Sequence, residues 1–163
     1  MIQLKEGELE FEFPDAKSGF KFDEEDLTSP TFHGLSHCMK AVDFVVETEK
    51  RSLFVEVKDP PVSNAFDANE AYSKLMKGLV AKFRDTFIYR WAEKQINKPV
   101  AYHCLVDVDS ALTLQIMTEL KRSLPENGPK NGRWKQQPAV SCAVANFKDW
   151  NAAFPKWKVT RKN

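Results

Sequence analysis

Ala41-Val42-Asp43-Phe44-Val45-Val46 and Leu53-Phe54-Val55-Glu56-Val57 are two short apolar runs, each rich in β-branched and aromatic residues and each carrying one acid. The polar link Glu47-Thr48-Glu49-Lys50-Arg51-Ser52 has the length and composition of a hairpin turn, so the two runs are expected to pair as strands. Side chains on a strand alternate faces, which puts Phe54, Glu56 and Lys58 on one side and Leu53, Val55 and Val57 on the other. With a favourable register Asp43 joins Glu56 and Lys58. Two carboxylates and an ammonium then share one face of a sheet.

Upstream, Glu-Leu-Glu-Phe-Glu-Phe at 8–13 alternates strictly and predicts a half-buried strand. Pro14-Asp15 ends it, and Gly19-Phe20-Lys21-Phe22 is expected to return as the second arm of a hairpin. Residues 23–37 predict a loop. Downstream, Pro60-Pro61 stops extended structure, and residues 64–95 carry the longest helical pattern, with Leu75, Leu79, Phe83 and Phe87 every four residues and Ser63 or Asp67 as possible caps. Lys74, Lys77, Ala81 and Arg84, with Lys82 near the edge, populate another face of this helix. Val100–Val108 predicts a strand buried on both faces. Asp109 or Ser110 is positioned to cap a helix at 110–123, and 139–147 predicts a last strand before a short turn or helix at 149–155. The order of elements predicts an α/β fold, a central mixed β-sheet flanked by helices, in a single domain over 1–163.

Composition narrows the class. At 42% hydrophobic and 29% charged residues the chain can bury a core and is not a disordered polymer. No stretch approaches the roughly 20 apolar residues that cross a bilayer. Met1–Glu6 lacks the basic and apolar regions of a signal peptide. The three cysteines, Cys38, Cys104 and Cys142, form no Cys-x-x-Cys pair, which predicts free thiols and a reducing, cytoplasmic setting. Net charge is +1, but residues 1–70 hold 16 acids against 7 bases and residues 71–163 hold 7 acids against 17 bases. The basic half suits a phosphate-binding surface, or else it neutralises the acidic half across the fold.

The carboxylate pair is a suitable Mg2+ site, because that ion takes oxygen ligands and commonly only one or two carboxylates, with water and phosphate completing its shell. Lys58 beside it could orient the attacking water or stabilise charge on a scissile phosphate. Asp43, twelve intervening positions and then Glu56-Val57-Lys58 resembles the PD-(D/E)XK nuclease superfamily, over roughly residues 38–108. The resemblance implies a restriction-endonuclease-like core of helix, three meandering strands, helix and strand. It also implies a Mg2+- or Mn2+-dependent hydrolase acting on the phosphodiester bonds of DNA or, less often, RNA. Asp43 and Glu56 would hold the metal, the Val57 carbonyl would be a further ligand, and Lys58 would be the catalytic lysine. Two departures stand out: Val42 occupies the position that often holds proline, and the usual first helix is not visible. Without that helix the acid some members place on it is unassigned, with Glu8, Glu10 and Glu12 as candidates by position.

For nucleic-acid contacts the sequence offers Lys74 and Lys77 on the long helix, and the loop residues Arg133, Trp134 and Lys135, where basic and aromatic side chains interleave as in surfaces that stack bases and pair phosphates. Trp134 could instead tuck into the body. The tail Lys156-Trp157-Lys158, with Arg161 and Lys162, has the same character. His33 and His37 lie four apart around Gly34, which favours a loop over a metal pair. His103 falls within a buried strand and is expected to be a satisfied core histidine. Asp107-Val108-Asp109 has the look of an aspartyl phosphotransferase pair but lacks that chemistry's other parts. No Gly-rich phosphate loop, Gly-x-Ser-x-Gly or His-Glu-x-x-His occurs. The competing class is a non-catalytic protein of the same fold in which Glu56 and Lys58 form an ion pair. The absence of a recognition domain suggests a homodimer or a larger complex.

Overall fold

A computed structural model describes residues 1–58, 69–124 and 129–162. Pro60, Pro61, the possible caps Ser63 and Asp67, and the start of the expected helix at 64–68 lie outside the described residues. So do residues 125–128, ahead of the loop residues Arg133, Trp134 and Lys135.

The architecture is α/β. The expected hairpin is present: β4 (Phe44–Thr48) and β5 (Ser52–Lys58) are antiparallel, with Phe44 opposite Val55, and Thr48 N–H donates to the Arg51 carbonyl at 2.9 Å to close the turn. The same register, continued by one residue, sets Asp43 opposite Glu56. β3 (Ala16–Lys21) adds antiparallel to β4. Helix α1 (Asn69–Ala92) then carries the chain to β6 (Val100–Val106), which runs parallel to β5, and α2 (Ser110–Ser123) carries it to β7 (Ser141–Ala145), parallel to β6. The result is a mixed sheet in the order β3-β4-β5-β6-β7. β6 is buried at every position, as the continuous apolar run requires.

One expectation about the N-terminus fails. Residues 8–13 and 19–22 do not pair with each other. β2 (Leu9–Phe13) lies in a second, antiparallel sheet between β1 (Ile2–Glu6) and β8 (Val159–Arg161), while β3 belongs to the main sheet. β1 and β8 carry too few apolar residues in alternation to stand out alone, and both form against the edges of β2. Among the described residues no helix precedes α1. The chain begins with this small sheet instead.

The main sheet separates two cores. On one face Val45, Phe54, Tyr102, Cys104 and Val106 pack under Met76, Leu79 and Phe83 of α1 and Ile116 and Leu120 of α2. On the other, Phe44, Leu53, Val55 and Ala101 pack against Leu9, Phe11 and Phe13 of the second sheet and Trp150 of α3 (Phe147–Ala153). Trp150 is fully buried edge-on to Phe11, and its indole N–H donates to the Trp157 carbonyl at 2.7 Å. Both inner-strand cysteines are buried, and no disulfide forms among the described residues. Among the described residues no helix is long and apolar enough to cross a membrane.

Helix ends follow local chemistry. The Asp109 carboxylate accepts from Leu112 N–H at 2.9 Å and caps α2, as expected. α1 stops short of Asn97-Lys98-Pro99, because Lys94 takes a left-handed conformation (φ 60°) that lets Gln95 N–H bond back to the Arg90 carbonyl.

His103 departs from the expected satisfied histidine. It is buried and stacked on Phe154, and its Nδ1 has no hydrogen-bond partner among the described residues. Burial, and secondarily the charge of Arg51, lower its pKa from 6.5 to about 4. The unfolded chain therefore takes up a proton between these values that the folded chain refuses. This contribution to stability is complete above about 6.5 and is lost as the pH falls through about 4. Urea denaturation across this range should show the wild type losing on the order of 3 kcal/mol more than His103→Leu. Equal pH slopes in the two proteins would refute the assignment.

Candidate active site

The face of β5 under α1 carries an acid in the middle of an apolar surface. Glu56 is fully buried (0% exposed) and Asp43 nearly so (6%). Asp43 enters β4 with its backbone tied on two sides. Its carbonyl accepts from Phe22 N–H at 2.7 Å, and its Oδ2 accepts from Val57 N–H at 2.6 Å. Val57 therefore joins the site through its amide hydrogen, which orients the Asp43 carboxylate and leaves Oδ1 facing the helix.

Two ammonium groups converge on this pair. Lys58 Nζ lies 2.5 Å from Glu56 Oε1, and Lys82 Nζ lies 2.9 Å from the same oxygen. Lys82 is also 3.8 Å from Asp43 Oδ1 and 3.6 Å from Asp23 Oδ2. Both Glu56 oxygens are buried with no hydrogen-bond partner among the described residues, and the two ion pairs fall on Oε1. Asp43, Glu56 and Lys58 thus share one face as expected, and Lys82 and Asp23 complete the cluster.

Burial dominates the electrostatics. It raises the Glu56 pKa from 4.5 to about 7, the charge of Asp43 adds to the rise, and Lys82 and Lys58 hold it down. Burial also raises Asp43, against the pull of Lys82 and the Val57 N–H. For Lys82 burial acts in the opposite direction, yet Glu56, Asp43 and Asp23 outweigh it and raise its pKa above that of a free lysine. Lys82 is therefore a firm cation at neutral pH, whereas burial makes Glu56 a weaker acid than an exposed glutamate.

Helix α1 places Lys82 on the stripe that runs Leu75, Leu79, Lys82, Thr86. A lysine three residues after one buried position and four before another is the signal in the sequence that identifies it, and the pattern of leucines alone passes over it. Lys74 and Lys77 are exposed and do not reach the carboxylates. Lys77 instead lines a groove between α1 and α2 with Tyr72, Met76, Val80, Arg84 and Glu119. The loop residues Arg133, Trp134 and Lys135 are exposed, and Trp134, 43% exposed, does not tuck into the body.

The N-terminal acid question resolves away from the positional candidates. Glu8 lies 3.8 Å from Arg161, Glu10 pairs with Lys162, and Glu12 accepts from Gln3 at 3.3 Å. The acid whose charge reaches Asp43 is Glu6, at the end of β1, itself 2.9 Å from Lys21. Only a three-dimensional pairing of β1 could bring it there. His33 is stacked between Phe22 and Phe32 and its Nδ1 accepts from Leu35 N–H, while His37 is exposed. Asp107 lies 3.5 Å from Arg161, and Asp109 caps a helix, so the phosphotransferase pair is absent.

As a cation site the donor set is two carboxylates. No group of three or more His, Cys, Asp or Glu side chains suited to a metal occurs among the described residues. Mg2+ and Mn2+ accept such a sparse set, taking water and phosphate for the rest, and the unpartnered Oε2 is a buried oxygen lone-pair donor of the required kind. The residues fit. Comparison with protein-family models, with curated proteins and with solved structures finds no match.

Two contacts from α1 hold the chain entering this site. Asp85 Oδ2 accepts from Lys40 N–H at 3.0 Å and Thr86 Oγ1 accepts from the buried Val42 N–H at 3.1 Å. Thr86→Val keeps the shape and deletes the acceptor. Chemical denaturation should show a loss of about 1–3 kcal/mol, with Thr86→Ser retaining most of the stability and faster amide exchange at Val42 only in the valine variant.

Proposed function

We propose that this chain is a metal-dependent nuclease of the PD-(D/E)XK kind, hydrolysing phosphodiester bonds of DNA or RNA. The observation that carries the proposal is the meeting of Asp43 and Glu56 on one buried sheet face with Lys58 beside them and one Glu56 oxygen left without a partner. The α/β order of hairpin, helix and parallel strand around that face supports it.

In this reading Asp43 and Glu56 hold Mg2+ or Mn2+, with the Val57 carbonyl as a candidate further ligand. The bound ion supplies Lewis acidity toward a phosphoryl oxygen and a more acidic water. Asp43 is pre-oriented for its part by the Val57 N–H. Lys58, 35% exposed at the side chain while Glu56 is sealed, is the group of the pair able to meet both solvent and substrate. It orients the attacking water, or its charge offsets the charge that grows on the phosphate. Lys74, Lys77, Arg133, Trp134 and Lys135 are proposed to carry the nucleic acid, through phosphate pairing and base stacking. Cysteines outside any disulfide support a reducing compartment such as the cytoplasm. A homodimer or a larger complex would supply the recognition surface that sequence-specific cutting needs.

The test is cleavage of single- and double-stranded DNA and RNA with Mg2+ or Mn2+. Asp43→Ala and Lys58→Ala should each lower the rate by about 100-fold or more, and EDTA should abolish it. Equal rates in all three proteins would indicate a contaminant and defeat the proposal. Absence of cleavage together with tight nucleic-acid binding would favour a non-catalytic binding protein of the same fold.

A further inference from the structure

We infer that Lys82 holds the cation position of the resting site, and that binding of a divalent cation transfers its ammonium from Glu56 and Asp43 to Asp23. The inference rests on the metal-site reading and adds a regulatory step to it.

The geometry is that of one ammonium among three carboxylates. Lys82 Nζ is closest to Glu56 Oε1 (2.9 Å), and Asp43 Oδ1 (3.8 Å) and Asp23 Oδ2 (3.6 Å) lie at nearly equal distances beyond. An ion shared by Asp43 and Glu56 would sit against the same two carboxylates, close beside this ammonium. A divalent cation there would be repelled by each ammonium with twice the strength of a like unit charge, which favours moving out the ammonium that has another carboxylate to go to. The ammonium needs a second anchor, and Asp23 is already within ion-pair distance.

Asp23 suits that role by position. It follows Phe22, whose N–H is bonded to the Asp43 carbonyl, so the backbone beside Asp23 is tied to the site. Its side chain is 39% exposed, whereas that of Lys82 is 15% exposed and that of Glu56 is sealed. Moving toward Asp23 takes the ammonium outward, toward water, on a four-carbon stem that needs no helix movement. Lys58 has no comparable second carboxylate among the described residues; its ion pair is with Glu56 alone. Lys82 is therefore the group that yields.

Charge gives the exchange a direction. Asp23, Asp43 and Glu56 against Lys58 and Lys82 leave the ionised resting cluster one negative charge in excess. A divalent cation turns that into one positive charge, the complement of a phosphodiester. The resting ammonium scales the apparent metal affinity down to the fraction of time it leaves the position open.

The experiment measures Mn2+ binding to the full chain by electron paramagnetic resonance of free Mn2+, for wild type, Lys82→Met, Asp23→Asn and the double variant. Lys82→Met should bind Mn2+ about 10-fold more tightly or better. Asp23→Asn should weaken binding several-fold in the wild-type background and have no effect beside Lys82→Met, a coupling read as a double-mutant cycle. Without metal, Lys82→Met should melt lower than wild type and recover on adding Mn2+. Should Lys82→Met fail to fold, the partly exposed Asp23→Asn still tests the inference alone.

Unchanged affinity in both single variants, or weaker binding by Lys82→Met, would overturn the exchange. If wild type still binds Mn2+ and cleaves, the nuclease reading stands without it. Mn2+ binding by Lys82→Met but not by wild type supports the exchange and counts against an active nuclease. Binding by none of the four proteins removes both ideas.

Discussion

A carboxylate with no exposed surface sits on the central hairpin of this protein, and the elements around it are arranged to make that burial tolerable. Glu56 faces the helical layer between Phe54 and Lys58, where an isolated ionised acid would cost several kcal/mol even after relaxation. Each neighbouring element contributes a charge or a hydrogen bond. β5 itself supplies Lys58 and α1 supplies Lys82, whose charges offset that cost, while Asp43, just before β4 and across the ladder, adds to it. The turn after β3 supplies Asp23 as a second partner of Lys82, and β1 and β3 bring the Glu6–Lys21 pair to the rim. The register that sets Asp43 opposite Glu56 is thus coupled to the path of α1, since a one-residue slip would turn Glu56 onto the aromatic face of the sheet.

Helix α1 is secured to the hairpin at more than one level. Asp85 and Thr86 take the backbone N–H groups of Lys40 and Val42 just before β4. At the far end of the same strand, Glu47 accepts from Ser52 Oγ at 2.8–2.9 Å and meets Lys98 at 3.6 Å and Arg90 at 3.9 Å. Between these anchors Leu79 and Phe83 fill the space over Phe54 and Tyr102, and the Tyr102 hydroxyl donates to the Leu79 carbonyl at 3.0 Å. Polar contacts set position and apolar packing supplies most of the stabilisation. The opposite face of the sheet has no such cluster. Its aromatics close against the small sheet and α3, which leaves the chemistry to one side.

Strands with strong apolar runs were legible from residue order alone, as were both long helices and the pairing of Asp43 with Glu56 and Lys58. These depend on periodicity and on short-range turn chemistry, which a linear sequence carries directly. The edge strands β1 and β8 were not legible, because each exists only by pairing with β2. The alternation of residues 8–13 correctly announced a strand but could not say which partner it takes, and Gly19–Phe22 took the edge of a different sheet. Periodicity traced through the leucines puts Lys82 near the edge of a different face. Its true neighbours on the stripe are Leu79 and Thr86. Glu6 and Asp23 enter through loop and edge geometry that residue spacing does not encode.

The choice of lysine over arginine at position 82 bears on what the cluster is for. A guanidinium would bind Glu56 in a planar, two-pronged pair, satisfying both carboxylate oxygens and holding them fixed. That arrangement suits an ion pair whose only task is structural. Lys82 and Lys58 instead converge on Oε1, and Oε2 remains without a partner. An apolar residue of similar volume in place of Glu56 would avoid the burial cost altogether, since buried ion pairs are often no more stable than their hydrophobic replacements. The fold thus retains a buried acid, gives it ion pairs at Oε1 rather than a hydrogen bond at each oxygen, and does so with single-point donors on flexible stems. Those three features are poorly explained by stability and follow directly if the second oxygen is reserved for a cation that arrives later.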